Sequence, residues 1–229
     1  MPDPQKVLLL LSGGMDSTTL LWWMRAEGIP EIHTVAVDYG QRHAIELACS
    51  AALSRLAGAR SHRCLKLDLQ QIGGSPLTDA GLSVPHAARN QQVQTVVPYR
   101  NMLFVTLAAA LAETQGIPTI YISPVRDDYA AYRDCRQEFY DALEGALRLG
   151  ATRQTDLHIH TPFVDKWKTE VVRIGLDLNV PYDQTHTCYE GTRPACGRCD
   201  ACTERIAAFR ANGVRDALAY ETEIDWTAG

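Results

Sequence analysis

Residues 10 to 17 read Leu-Leu-Ser-Gly-Gly-Met-Asp-Ser, an order that builds an anion site. The octet follows the apolar run Lys6-Val7-Leu8-Leu9-Leu10-Leu11 and opens a stretch, 18 to 27, that suits a helix. Gly13 and Gly14 let the backbone come close to a ligand, and the unpaired N–H groups and dipole of the helix start face it. A Walker loop would need a lysine to reach the terminal phosphates, and no lysine stands between Val7 and Glu27. The dinucleotide pattern Gly-x-Gly-x-x-Gly is absent too. The bland alternative is a glycine turn between strand and helix; the full Ser-Gly-Gly-x-Asp-Ser hexapeptide in this context favours a nucleotide phosphate over it.

The second constellation is Cys188, Cys196, Cys199 and Cys202, spaced C-x7-C-x2-C-x2-C. Two overlapping C-x-x-C steps can bring thiolates round one ion, and four cysteines form a closed tetrahedral zinc shell. Gly191 and Gly197 allow the sharp turns, and Pro194 stiffens the approach. The alternatives are unlinked reduced thiols or a redox pair, and the same ligands could hold an iron–sulfur cluster. The surrounding stretch is polar and reads as too exposed for core cysteines. Cys49, Cys64 and Cys135 stand apart, with Cys49 among apolar helix residues and expected in the core.

The elements that must position these groups alternate strand and helix. Strands are expected at 6–11, 32–37, 61–67, 119–122 and, weakly, 157–161; helices at 18–27, 44–56, 102–113 and 137–149. Repeated βα units imply an α/β fold with a parallel sheet and helices on both faces. Such sheets bind ligands at the carboxyl ends of their strands. Asp38-Tyr39-Gly40-Gln41-Arg42-His43 follows the second strand, where adenine could lie against the backbone and Tyr39; a capped loop is the alternative. The stretch 73 to 98 is long, polar and rich in glycine and proline, as in a lid or a disordered segment. It ends at Pro98-Tyr99-Arg100-Asn101, where Arg100 at a helix start opposes the dipole and points to an anionic partner.

Ser12 to Ser17 resembles the pyrophosphate loop of the N-type ATP pyrophosphatases, which cleave ATP between the α and β phosphates and adenylate a substrate oxygen. In order along the chain, Asp38 to His43, Pro98 to Asn101, Asp134-Cys135-Arg136, and Thr161-Pro162 with Lys168-Thr169-Glu170-Val171 are similar to the motifs of the 7-cyano-7-deazaguanine synthase family. Cys188-Tyr189-x-Gly191 followed by Cys196-Gly197-x-Cys199-x-x-Cys202-x-x-Arg205 looks like that family's zinc segment, so the match runs from about 6 to 211. The resemblance implies an adenine-nucleotide α-hydrolase-like α/β domain over 1–180 and a small zinc-binding segment over 181–229. It further implies an ATP-dependent ligase, often a homodimer, that converts 7-carboxy-7-deazaguanine and ammonia into the nitrile on the route to queuosine.

Under this resemblance Leu10, Leu11, Ser12, Gly13, Gly14, Met15, Asp16, Ser17, Asp38 and Tyr39 bind ATP, with Asp16 placing Mg²⁺. Asp16, Arg100 and Lys168 are the catalytic candidates, the last two toward the phosphates. Gln41, Arg100, Asp134 and Arg136 are the substrate candidates, Asp134 facing the N–H donors of a guanine-like edge and Arg136 lying near the carboxylate. Solvated alternatives exist for Lys168 on a helix face and for Arg136 in a surface ion pair. The sequence departs from the family at Tyr132-Arg133, where tyrosine–proline is usual, at Pro124-Val125-Arg126-Asp127-Asp128, and at His186, where tryptophan is common. A paralogue that joins a related carboxylate to another amine is the nearest rival. Another pyrophosphate-loop ligase or a tRNA thiolase is more distant, since a thiolase needs paired cysteines at the site, and a non-catalytic zinc module would leave the loop unexplained.

Composition sets the outer bounds. The 229 residues suffice for one sizeable core, hydrophobic residues make up 46%, and no apolar run approaches the ~20 residues of a bilayer span. The net charge of −5 and a sequence pI near 5.8 argue against a broad nucleic-acid surface. Met1-Pro2-Asp3-Pro4 leads almost directly into the first strand, so no signal peptide and a cytoplasmic location are expected, and seven cysteines there would not form a disulfide framework.

Overall fold

Strand β1, Lys6–Leu10, is the middle of a five-stranded sheet in a computed structural model that describes residues 6–86, 94–130, 132–153 and 156–227. The order is β3-β2-β1-β4-β5, with β2 at Glu31–Asp38, β3 at Ser61–Lys66, β4 at Thr119–Tyr121 and β5 at His158–His160, and every pairing is parallel. β1 is a continuous apolar run after Lys6, and β2 is buried from Ile32 to Val37 although His33 and Thr34 interrupt its apolar residues, because both faces of each strand are covered. β3 is polar and half exposed, as an edge strand is.

Helices α1 (Met15–Ala26), α2 (Ile45–Leu56), α3 (Arg100–Gln115) and α4 (Gln137–Gly150) fall where the apolar spacing places them, with α1 and α3 starting earlier than expected. Alternation along β1 divides the core. Val7 and Leu9 pack with Leu20, Leu21 and Met24 of α1 and Val171 of α5 (Lys168–Asp177); Leu8 and Leu10 pack with Val105 of α3 and Tyr140 of α4. Helices thus lie on both faces, and the strand order reverses between β1 and β4, the switch point where such sheets take ligands.

Two helices carry no range in the sequence pattern. They are α5 and α6 (Asp200–Ala211), the second rising directly from the cysteine loop with Cys199 as its N-cap. Val172, Val180, Tyr182 and Met15 meet Ala208 and Phe209 of α6, so the C-terminal segment is packed on the sheet domain. His186 N–H donates to the Gly13 carbonyl at 3.0 Å, which pins that segment to the glycine loop itself.

The described part of the stretch expected as a lid or a disordered segment is packed against the domain. In 73–86 and 94–98, Ser75, Leu77, Thr78, Val84, Thr95 and Val97 are buried, and Leu77 and Val97 belong to the α3-side core. Arg42 holds the stretch by donating to the Leu82 carbonyl at 2.6 Å and, through its backbone, to Leu77 at 2.9 Å. Residues 87–93 lie outside the described residues. No described helix is long and apolar enough to cross a membrane.

Candidate active site

β1 ends at Leu10, and Leu11 through Ser17 turn over its carboxyl end into α1. Gly13 has φ +88°, and a Cβ there would sit on the Glu46 carbonyl and 2.7 Å from the Ser50 nitrogen, so the tight approach of α2 requires glycine. The Ser12 hydroxyl accepts from Gly14 N–H at 3.1 Å and lies 2.9 Å from the Ser17 hydroxyl, which itself accepts from Ser12 N–H at 3.2 Å. These bonds fix the loop before any ligand arrives. Helix α1 starts with no side-chain cap, so its first-turn N–H groups are available to an anion in the cavity that Ser12, Gly14, Met15, Asp16 and Ser17 line.

That cavity, of about 260 Å³, is walled by the ends of β1, β2 and β4. Lys168 enters it from the first turn of α5. Its Nζ donates to Glu204 Oε2 at 2.7 Å and stands 3.8 Å from Asp16 Oδ2 and 3.9 Å from Asp128 Oδ1. Burial pushes the Asp16 carboxyl up to about 6, against the pull of Lys168 and with the push of Asp128 and Glu204. Burial alone would lower Lys168, yet the three carboxylates hold it well above the usual ammonium range. One lysine against three carboxylates leaves this end short of positive charge, and Asp16 Oδ1 is buried with no hydrogen-bond partner. Hard oxygen donors with an unpaired one among them suit Mg²⁺.

The opposite end is aromatic. Tyr39 lies 5.1 Å from the Phe104 ring and 6.3 Å from His43, which lies 5.8 Å from Tyr189. Arg100 reaches this region because Tyr99, at φ +56°, turns the chain in the left-handed region before α3, a conformation costing on the order of 1 kcal/mol or more for a residue with a Cβ. Burial lowers His43 to about 3 and raises Glu46 to about 7.

Of the expected residues, Leu10, Leu11, Ser12, Gly14, Met15, Asp16, Ser17, Tyr39, Arg100 and Lys168 line this one cavity, and Gly13 shapes its loop from behind. Four do not line it. Asp38 accepts from Gly40 N–H at 3.3 Å, and buried Gln41 accepts from Tyr39 N–H while donating to Val37 and to Glu46 Oε1. Asp134 accepts from Asn101 N–H at 3.3 Å, at the start of α3, and Arg136 donates outward to the Tyr129 carbonyl. A short 3₁₀ turn at Arg133–Cys135 sends these neighbours different ways, so Cys135 alone of the Asp134-Cys135-Arg136 triplet faces the cavity. Asp128 and Tyr132, where the sequence departs from the family pattern, line it as well, and so do Glu46 and Glu204, which the sequence reading did not single out; Glu46 stands one helical turn past the Asp38-to-His43 motif, the one sequence signal that could have found it.

The four cysteines are buried, not exposed, and sit among Val84, Ala195, Leu218 and Tyr220. All four sulfurs lie within 4.8 Å of one another, Cys196 and Cys202 at 3.9 Å. A tetrahedral site with Zn–S ≈ 2.3 Å has sulfurs about 3.8 Å apart. The N–H groups of Cys196, Arg198 and Cys199 donate to Cys188 or Cys196 sulfur at 3.3–3.4 Å, as thiolates require. The cluster is a four-cysteine site that fits zinc.

A family model described as queuosine biosynthesis protein QueC matches residues 6–213, which spans both the cavity and the cysteine cluster. The chain belongs to the QueC family. It is 40% identical over 225 residues to the 7-cyano-7-deazaguanine synthase of Clostridium kluyveri, covering 96% of this chain and 99% of that one. The 7-cyano-7-deazaguanine synthase of Hydrogenovibrio crunogenus is 39% identical over 229 residues, covering 97% and 98%. Among solved structures, an NMN synthetase from Francisella tularensis aligns with a TM-score of 0.48 at 14% identity, over 93% of this chain and 79% of that one. Membership makes the chain an enzyme of queuosine biosynthesis.

Proposed function

We propose that the chain converts 7-carboxy-7-deazaguanine and ammonia into 7-cyano-7-deazaguanine, with ATP adenylating the substrate twice. The observation that carries this is one cavity holding a preformed anion loop with a buried lysine at one end and an aromatic, carboxylate-bearing wall at the other. A carboxylate is a poor electrophile. Its oxygen attacks the α-phosphate, pyrophosphate leaves into the Ser12 to Ser17 loop, and ammonia then displaces AMP to give the amide. The amide oxygen is adenylated in turn, and loss of AMP with two protons leaves the nitrile.

In this reading Lys168 draws the phosphates toward α1, Arg100 neutralises the second anion, and Tyr39 forms part of the aromatic wall. Mg²⁺ at Asp16 would supply charge neutralisation at the leaving group. Zinc held by Cys188, Cys196, Cys199 and Cys202 is structural, fixing the segment 181–229 against a nucleotide domain over 1–180. A homodimer in the cytoplasm follows from the family resemblance.

The test is the fate of the carboxylate oxygens. Substrate labelled with ¹⁸O in both should yield two AMP per nitrile, each carrying one label. Label appearing in water or orthophosphate would contradict adenylation.

A further inference from the structure

The cavity has four carboxylates among its described lining residues, and three of them, Asp16, Asp128 and Glu204, surround Lys168. Glu46 is the fourth and stands apart from that lysine. It projects from the first turn of α2, with 12% of its side chain exposed, into the aromatic end beside Tyr39 and Phe104. Its polar neighbours are Gln41, His43 and the Arg100 charge, which favours its ionised form. Gln41 Nε2 donates to Oε1 at 3.1 Å, and Gln41 is itself locked to the backbone of Val37 and Tyr39. His43 Nε2 lies 3.5 Å from the same oxygen, but burial keeps that ring neutral at ordinary pH, so it forms no ion pair. A rigid buried carboxylate is an acceptor only, with lone pairs beyond those Gln41 uses.

We propose that Glu46 is the specificity determinant for the base, accepting the N1–H and C2-amino donors of the deazaguanine; this rests on the activity proposed above. The chemistry selects between the two ring systems that must share the cavity. The guanine-type edge presents two adjacent donors, which match two carboxylate oxygens. The adenine edge presents a donor beside the N1 acceptor, and a carboxylate repels that acceptor. Glu46 therefore assigns the aromatic end to the deazaguanine and turns ATP toward the loop and Lys168. It takes the role that sequence adjacency gave to Asp134, whose carboxylate accepts from the Asn101 backbone instead. Burial holds the Glu46 carboxyl near 7, and two N–H donors would favour its ionised form.

The experiment pairs a substrate analogue with a variant. Binding of 7-carboxy-7-deazaguanine and of its analogue lacking the 2-amino group is measured by calorimetry, with Mg·ATP as the control ligand. Wild-type protein should bind the analogue about ten- to a hundredfold more weakly. Glu46→Gln should lose a similar factor for the natural base, no longer distinguish it from the analogue, and keep ATP affinity within about threefold. Wild-type protein that binds both bases equally, or a Glu46→Gln protein that discriminates as well as wild type, overturns the proposal. The first comparison needs no variant, so a misfolded Glu46→Gln does not shield it. Intact ATP binding with neither base bound would instead remove the proposed activity, and this role with it.

Discussion

Lys168 Nζ donates to Glu204 Oε2 at 2.7 Å, tying the first residue of α5 to the second turn of α6, the helix that rises from the cysteine cluster. The lysine at the cavity is thus aimed by the C-terminal segment, not by its own helix alone. Lys168→Ala should lower kcat/KM by roughly 10²–10³, the range for removing one preorganised charge partner of a reacting group. Glu204→Gln, which keeps the shape and weakens the aim, should cost about tenfold, with Lys168→Arg intermediate. Steady-state kinetics with saturating ammonium checks this, and equal loss in Glu204→Gln and Lys168→Ala would mean that Glu204 does more than position.

The same tie predicts that metal loss reaches the cavity. Elemental analysis of protein purified without added metal should show about one zinc per chain. Cys199→Ser, or prolonged chelation, should lower the melting temperature by about 10 °C or more, as a loss of several kcal/mol does in a chain of this size. Activity should fall with it. Unchanged metal content in Cys199→Ser would remove the assignment.

Arg205 and Asp216 form a bidentate ion pair with both side chains fully buried, Nε to Oδ2 at 2.6 Å and Nη2 to Oδ1 at 2.9 Å. Thr185 Oγ1 and the Tyr182 carbonyl accept two further guanidinium N–H groups, and the Tyr220 hydroxyl donates to Asp216. Asp216→Ala would strand the arginine, costing about 3–5 kcal/mol. Denaturant unfolding of the variant should show that loss; a change below about 1 kcal/mol would contradict it.

These residues also show what was legible. The five strands and four helices can be read because β1 is a continuous apolar run, β2 is rich in β-branched residues, and glycine and polar turns cut the elements apart. Helix α6 hides because Asp200, Cys202 and Arg205 occupy the first half of its buried face, where ion pairing and the cysteine cluster replace apolar side chains. The loop from Leu10 to Ser17 is a local motif and reads directly. The far wall is not local: Glu46, Asp128 and Glu204 come from three separate stretches, and the tight turn at Asp134 sends adjacent residues in opposite directions.

Asp16 gives a pH signature. Its carboxyl rises from 3.8 to about 6 on burial, so the fold favours the protonated form. The stability from this group is present below about 3.8 and is lost as pH rises through about 6. Asp16→Asn should therefore gain stability relative to wild type across that window, while losing activity. Because the ionised form is the one that holds a cation, wild-type kcat/KM should fall as pH drops through about 6. Melting curves of both proteins from pH 4 to 8 check the stability sign, and parallel curves would refute it.

The account stands most directly on one product measurement. Purified protein incubated with ATP, Mg²⁺, ammonium and 7-carboxy-7-deazaguanine is followed by mass spectrometry of the base and chromatography of the nucleotides. The expected result is the nitrile, formed through the amide, with AMP and pyrophosphate released and all products abolished in Asp16→Ala. ADP and orthophosphate as the nucleotide products, or an unaltered base while ATP still binds, would contradict it.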